Sequence, residues 1–362
     1  MNTDKYRVKP DEEIKLATFS TSESDGYSQE ELQKKMIPKA VQKLQELHLK
    51  LNAEEEKGIL VVLQAMDAAG KDEAISYIFS HLNAQGLKTL TLGKPTEQEL
   101  SHDYLWRIHD GLPARGEIAI LNRSHYEEVI APRVHEILKD EPLPDEVIDE
   151  KIWETRFRQI NDFERYLSEN GFPVVKFFFN VSKEEQRKRL LKRMKDPQKN
   201  WEFSFSDVEE REHWDDYQKI FEDMLGNTST ECAPWYVLPA DNEKFSRYII
   251  TLVMNELLTE LNPQFPVISD EEREKLDEYI KKLEAEAGEK QGRSRGEAGG
   301  CWPVSMIVEF QIKKLSGNSH RTAFLSILAV GFLVTGKGII DAIPLFSPAA
   351  KSYILIMDFS EF

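Results

Sequence analysis

The chemistry-bearing residues of this chain begin at the end of one apolar run. Ile59-Leu-Val-Val-Leu-Gln-Ala-Met-Asp67-Ala-Ala-Gly70-Lys71-Asp72 passes from β-branched residues to small ones, a carboxylate, a glycine and a lysine. A strand, a tight loop and a helix in that order build a phosphate cradle, because backbone N–H groups at a helix start point at an anion and a lysine adds a point charge. Ala68, Ala69, Gly70 and Lys71 are the expected phosphate contacts. The loop departs from G-x-x-x-x-G-K-[ST], with Ala65 at the first glycine and Asp72 at the hydroxyl residue. Asp67 lies inside the loop instead, where a carboxylate ligates Mg²⁺ or orients an attacking phosphate, or else caps the next helix.

A second polar group follows another apolar run, in Ile118-Ala-Ile-Leu-Asn122-Arg123-Ser-His125-Tyr-Glu127-Glu128, with Arg133 beyond it. Guanidinium forks suit phosphate oxygens, and one helix could aim both Arg123 and Arg133 at the site. Glu127 and Glu128 are the residue types that hold a metal or complement a helix dipole. His125 is equally a ligand-binding or a core histidine. A third group is a basic run over 183–199, including Arg187 and Arg193. Alone it reads as a solvated helix face, but downstream of a phosphate loop it reads as an anion contact.

The elements that must position these groups are legible in outline. Short apolar runs at 59–63, 87–92, 117–121, 174–181 and 235–239 predict five strands. Helical patterns separate them, at 73–83, 97–111, 125–138, 145–169, 183–195 and 208–225. An amphipathic helix leads at 28–52, and another closes the block at 269–284. Uniformly apolar strands alternating with helices predict a parallel α/β sheet covered on both faces, with ligands beyond the strands' carboxyl ends.

The chain has 362 residues and a formal net charge of −17, which argues against a general nucleic-acid or anionic-membrane binder. Two cysteines, Cys232 and Cys301, make no disulfide framework, and the start carries no apolar leader, so a cytoplasmic location is expected. From 289 onward a Gly-, Arg- and Glu-rich linker leads into a tail without phosphate-chemistry motifs. Its apolar stretch at 323–334 is too short for a membrane span.

Asp67-Ala-Ala-Gly-Lys71 and Asn122-Arg-Ser-His-Tyr-Glu-Glu-Val129 resemble the second family of polyphosphate kinases. So do Gly93-Lys94-Pro-Thr, Tyr104-Leu-Trp-Arg107, Gln159-Ile-Asn-Asp-Phe-Glu164, Val181-Ser-Lys-Glu-Glu-Gln186 and Ala233-Pro-Trp-Tyr-Val-Leu-Pro-Ala-Asp241. The Asn-Arg-Ser-His-Tyr form is most similar to the branch that phosphorylates both AMP and ADP. The likeness runs from about residue 10 to 262. It implies a P-loop kinase-like three-layer sandwich over 1–288, with a five-stranded parallel sheet and a helical lid at about 183–205.

It also implies Mg²⁺-dependent, reversible transfer of the terminal phosphate of inorganic polyphosphate to AMP and ADP, giving ADP and ATP, in a homo-oligomer that tolerates guanine nucleotides. On this reading Asp67, Lys71, Arg123 and Arg133 are catalytic, and Asp67 and Glu128 hold the metal. Lys94, Arg187 and Arg193 contact phosphate, and Asn122, His125 and Glu127 contact the nucleotide. Glu128 stands where the family usually has aspartate, Ser76 and Tyr77 where it has a basic or histidine pair, and Glu202 where lysine is common. Two other readings stay open: an ATP-dependent nucleoside monophosphate kinase, and a protein that binds polyphosphate without turnover.

Overall fold

The computed structural model describes residues 1–10 and 12–293, with side chains to residue 285 apart from Asp140 and Glu202. Residues Met1–Arg273 form one compact unit. The second unit starts at Glu274 and is described only as a helical continuation, so the tail expected from the linker composition lies outside the described residues.

Five strands form in the places that the apolar runs predict: β1 (Ile59–Gln64), β2 (Leu87–Thr91), β3 (Ile118–Asn122), β4 (Val174–Asn180) and β5 (Trp235–Pro239). They make one parallel sheet in the order β2-β3-β1-β4-β5. Every residue of β1, β3, β4 and β5 is buried, while β2 at the edge is partly exposed, as uniformly apolar strands require of a covered parallel sheet. The main helices are α1 (Ile37–Glu54), α2 (Lys71–Ile78), α3 (Glu127–Val134), α4 (Ile152–Glu169), α5 (Lys183–Lys195), α6 (Trp214–Thr228), α7 (Glu243–Leu261) and α8 (Asp270–Arg293). Helices α3, α4 and α6 pack on one another, and Phe178 of β4 meets Phe221 of α6 edge-on at 4.8 Å. Helix α7 packs on α1, α2 and β5, and Asn255 Nδ2 donates to Ala40 O at 2.9 Å.

Where the elements differ from the sequence pattern, local chemistry gives the reason. The leading helix passes through a π segment at Leu32–Met36 before α1, directly ahead of Pro38, which lacks an N–H and crowds the preceding turn. The stretch expected as one helix at 97–111 is two single turns, Glu97–Leu100 and Trp106–His109. Between them Asp103 accepts from Leu105 N at 3.0 Å, which favours a turn over a continuing helix. Helix α3 starts two residues later than the pattern suggests, because Ser124 Oγ accepts from Tyr126 N at 3.2 Å behind a left-handed Arg123. The pattern at 208–225 is Ser206–Glu209, a 3₁₀ turn at Glu210–His213, and then α6. Helix α7 has no counterpart in the sequence reading at all. Ten of its residues are buried, and because Ser246, Thr251 and Asn255 are among them the hydrophobic pattern shows little amphipathic period.

Beneath the sheet's functional end lies a buried ionic knot. Lys176 of β4 is fully buried and donates to Glu164 of α4, to Tyr126 Oη at 2.9 Å and to Thr228 O of α6 at 2.6 Å. Tyr126 Oη in turn donates to Glu164 at 2.7 Å, and His125 Nε2 lies 3.1 Å from the same carboxylate. One strand, two helices and the start of α3 therefore meet on a single charge pair. Lys176→Met should lower stability by about 3–5 kcal/mol, since it leaves Glu164 charged and buried. Adding Glu164→Gln should recover part of that loss, measured as the shift of the urea midpoint of each variant.

Candidate active site

The two polar groups come together because their strands are neighbours. In the β1–β3 pairing Leu63 lies opposite Asn122, and Arg123 N donates back to Leu63 O at 3.3 Å. Both chains then turn through left-handed backbone, Ala68 at φ 58° and Arg123 at φ 61°, conformations that cost a non-glycine residue energy and cluster where structure serves function. Gly70 at φ 101° precedes α2, and a Cβ there would lie 3.3 Å from Arg189 Nη1. The Asp67 carboxylate and the Arg123 guanidinium form an ion pair.

That pair stands between two depressions. A cavity of about 360 Å³ is lined by Asp67, Ala68, Ala69, Gly70 and Lys71 of the loop, by Asp72 and Glu73, by Thr91 to Gly93, and by Asn122, Arg123, Arg193 and Asp207. A narrower one is lined by Gln64 to Asp67, Arg123, Glu127, Ile130, Glu210, Tyr217 and Phe221. Asp67 and Arg123 border both. Lys71 is buried, with Nζ 3.3 Å from Met66 O and 3.4 Å from Ala65 O. Burial pushes its pKa down against the pull of Asp67, so its charge favours an anionic neighbour. Asn122 Nδ2 donates to Asp72 at 2.6 Å, while its Oδ1 is buried without a protein partner. Burial, then Asp67, raises the pKa of Asp207.

Not every expected residue arrives at the site. His125 is fully buried against Glu164, Tyr126 and Phe163, so it offers no surface to a nucleotide here. Its place is the core, beneath the loop that it was expected to serve. Arg133 donates to Asp223 at 2.6 Å and lies over Trp153 and Phe157; it lines neither depression. Arg187 is tied to Glu184 at 2.8 Å on the exposed face of α5, whereas Arg193, further along the helix, borders the larger cavity. Lys94 is exposed one residue beyond the lining Gly93. Glu128 is also misplaced as a metal ligand. It lines neither depression, and burial followed by the charge of Glu141 pushes its pKa up to about 7 against the opposing pull of Arg156 and Arg107. Glu127, expected at the nucleotide, accepts from Gln64 Nε2 at 2.7 Å on the wall that Asp67 shares.

Among the described residues no three His, Cys, Asp or Glu side chains form a metal cage. Three carboxylates border one depression, Asp67, Glu127 and Glu210, and Glu210 is already engaged by Tyr217 Oη at 2.6 Å and His135 Nε2 at 3.1 Å, which leaves the pair Asp67 and Glu127. That set fits Mg²⁺, which is held by one or two carboxylates with substrate phosphates and water completing its shell. The sequence reading takes Arg189 only as part of the basic run over 183–199, and it gives no role to Gln186, Glu210 or Tyr217. Gln186 and Arg189 were legible as a pair three residues apart on one helix face.

The family model described as polyphosphate kinase 2 (PPK2) matches residues 26–266. The chain belongs to the polyphosphate kinase 2 family. It is 42% identical over 266 residues to an AMP/ADP-polyphosphate phosphotransferase of Meiothermus ruber, covering 72% of this chain and 95% of that one. It is 40% identical over 278 residues to an ADP-polyphosphate phosphotransferase of Rhodopseudomonas palustris, covering 76% and 96%. Among solved structures it is similar to polyphosphate kinase 2 from Arthrobacter aurescens TC1, with TM-score 0.68, 35% identity, and 76% and 96% of the two chains covered. The five-stranded parallel α/β sheet is thus the P-loop kinase-like architecture of polyphosphate kinase 2.

The raised pKa of Glu128 has a consequence for stability. Between its ordinary value of 4.5 and about 7 the folded chain binds a proton that the unfolded chain has released, so this group makes stability fall as pH rises through that window. Glu128→Gln should flatten the slope. Urea midpoints at about pH 5 and about pH 8 check it: the variant should lose less stability between them than the parent.

Proposed function

We propose that this chain transfers the terminal phosphate of inorganic polyphosphate to AMP and ADP, giving ADP and ATP, and that the reaction runs in both directions. The observation that carries the reading is the Asp67–Arg123 pair on the border of two depressions, one walled by the phosphate loop and the other by Glu127, Glu210 and Tyr217. Donor and acceptor phosphates can approach this pair from opposite sides. The names of the Meiothermus ruber and Rhodopseudomonas palustris relatives, an AMP/ADP- and an ADP-polyphosphate phosphotransferase, support polyphosphate as donor and adenine nucleotides as acceptors.

Phosphoryl transfer needs positioning and charge stabilisation rather than covalent chemistry. Lys71 and Arg123 bring two cations to the transferring group, and loop N–H groups add fixed partial charge. Asp67 orients the acceptor phosphate. Mg²⁺, held by Asp67 and Glu127 together with the phosphates, would neutralise charge that builds on the bridging oxygens. Helix α5 and the segment after it act as the lid, with Arg193 turned to the larger cavity. Both reacting groups are phosphates, so guanine nucleotides should also serve. We assign the enzyme to the cytoplasm, where Cys232 remains a free thiol, and to a homo-oligomer.

AMP incubated with long-chain polyphosphate and Mg²⁺, without ATP, should yield ADP and then ATP. Lys71→Ala should lose roughly a hundredfold or more in rate. Product only after ATP is added would replace this reading with a monophosphate kinase, and tight binding without turnover would leave a polyphosphate-binding protein. Glu127→Gln should raise the Mg²⁺ concentration needed for half-maximal rate by roughly tenfold, about 1.4 kcal/mol, while Glu128→Gln leaves it unchanged. Titrating Mg²⁺ for both variants checks the assignment.

A further inference from the structure

Three successive carbonyls of the phosphate loop are held by one helix. Gln186 Nε2 of α5 donates to Asp67 O at 2.9 Å. Arg189 Nη1 donates to Ala69 O at 2.9 Å and to Ala68 O at 3.4 Å, and its Nη2 to Ala240 O at 2.7 Å. Gln186 is fully buried, and its Oε1 accepts from Arg211, which also donates to Lys183 O at 3.1 Å. That bond fixes which end of the amide faces the loop, because only the nitrogen can donate to Asp67 O. Arg189 is steadied by Glu185 Oε1, 3.1 Å from its Nε.

The geometry points to Gln186 and Arg189 as positioning residues for transfer, acting through the shape of the loop rather than by touching phosphate. In a trans peptide the C=O and the following N–H point in opposite directions, and the chain has no cis bonds. Carbonyls 67, 68 and 69 turned to α5 therefore send the N–H groups of Ala68, Ala69 and Gly70 away from it. The peptide planes on both sides of Ala68 are clamped, which holds that residue at φ 58° despite its Cβ. Arg211 extends the clamp to the segment that places Asp207 and Glu210 on the two depressions. The cradle and the base of α5 accordingly behave as one body.

This inference rests on the proposed transfer from polyphosphate, and two substitutions separate them. Arg189→Lys keeps the charge and stem but loses the fork that reaches several carbonyls. Gln186→Met keeps the volume without a donor. Neither removes charge from the polyanion path, so a role in direct attraction predicts no change in either. Each should lower kcat roughly tenfold or more while the KM for AMP stays within about twofold, because small misplacements of reacting groups cost rate. The double variant should be no worse than the weaker single one, as expected of residues acting as a unit. Amides 68–70 should exchange hydrogen faster in both variants, a readout independent of turnover.

Undiminished kcat with unchanged amide exchange in a folded variant, or losses that multiply in the double variant, would overturn the inference. If Gln186→Met does not fold by thermal unfolding, Arg189→Lys decides alone. A parent enzyme that makes no ADP from polyphosphate sinks the transfer reading instead, and amide exchange then judges the clamp.

Discussion

The ion pair between Asp67 and Arg123 depends on a register, and the rest of the site depends on the ion pair. Parallel pairing of β1 with β3 puts Leu63 opposite Asn122, so both chains leave the sheet side by side. Each then bends through a left-handed residue, Ala68 on one and Arg123 on the other, which turns their polar groups toward one another. Slipping a strand by one residue would reverse its two faces. Close packing opposes that, since all five residues of β3 and all six of β1 are out of water and a slip would exchange the side chains fitted on each face. The apolar core thus sets where the chemistry happens without taking part in it.

A protein of net charge −17 that handles polyanions must solve its electrostatics locally. Coulomb attraction between exposed groups is screened over about 10 Å at ordinary ionic strength, so distant carboxylates matter less than the walls of the cavity. Lys71, Arg123 and Arg193 line that cavity beside Asp67, Asp72, Glu73 and Asp207, of which Asp67 is paired with Arg123 and Asp72 is bonded to Asn122. Elsewhere basic side chains are engaged in structure: Arg133 with Asp223, Arg187 with Glu184, and Arg189 with loop carbonyls. The basic run over 183–199 is therefore not a uniform phosphate contact. One face of α5 builds the cradle from behind, another turns Arg193 to the cavity, and a third is solvated.

The fold was largely legible, because strand burial leaves a mark in sequence that needs no partner to be read. All five strands lie within two residues of their apolar runs, and α5 spans 183–195 as its pattern predicts. The failures have physical causes. Helix α7 buries Ser246, Thr251 and Asn255 along with its apolar residues, which blurs the period of a purely hydrophobic pattern. Asp103 and Pro38 act through local bonds and clashes that a hydrophobic pattern does not register. At the site, the loop lysine and its carboxylate were legible as types that suit phosphate. What partner each other polar residue takes was not, because Arg133 and Asp223 are ninety positions apart.

Glu127 and Glu128 show why site residues are harder to read than folds. Adjacent positions on a helix point about 100° apart, so a single residue of phase decides which carboxylate faces the loop. That phase is set where the helix begins. Ser124 and the left-handed Arg123 delay α3 to Glu127, and the buried contacts of His125 and Tyr126 with Glu164 fix its first turn from below. Glu127 is then left on the wall shared with Asp67, while Glu128 lines neither depression, and burial with the charge of Glu141 favours its protonated form. The core histidine and the misplaced glutamate are thus one fact. By tying the start of α3 to Glu164, His125 helps choose its neighbour two residues on for the site, and gives up any place there itself.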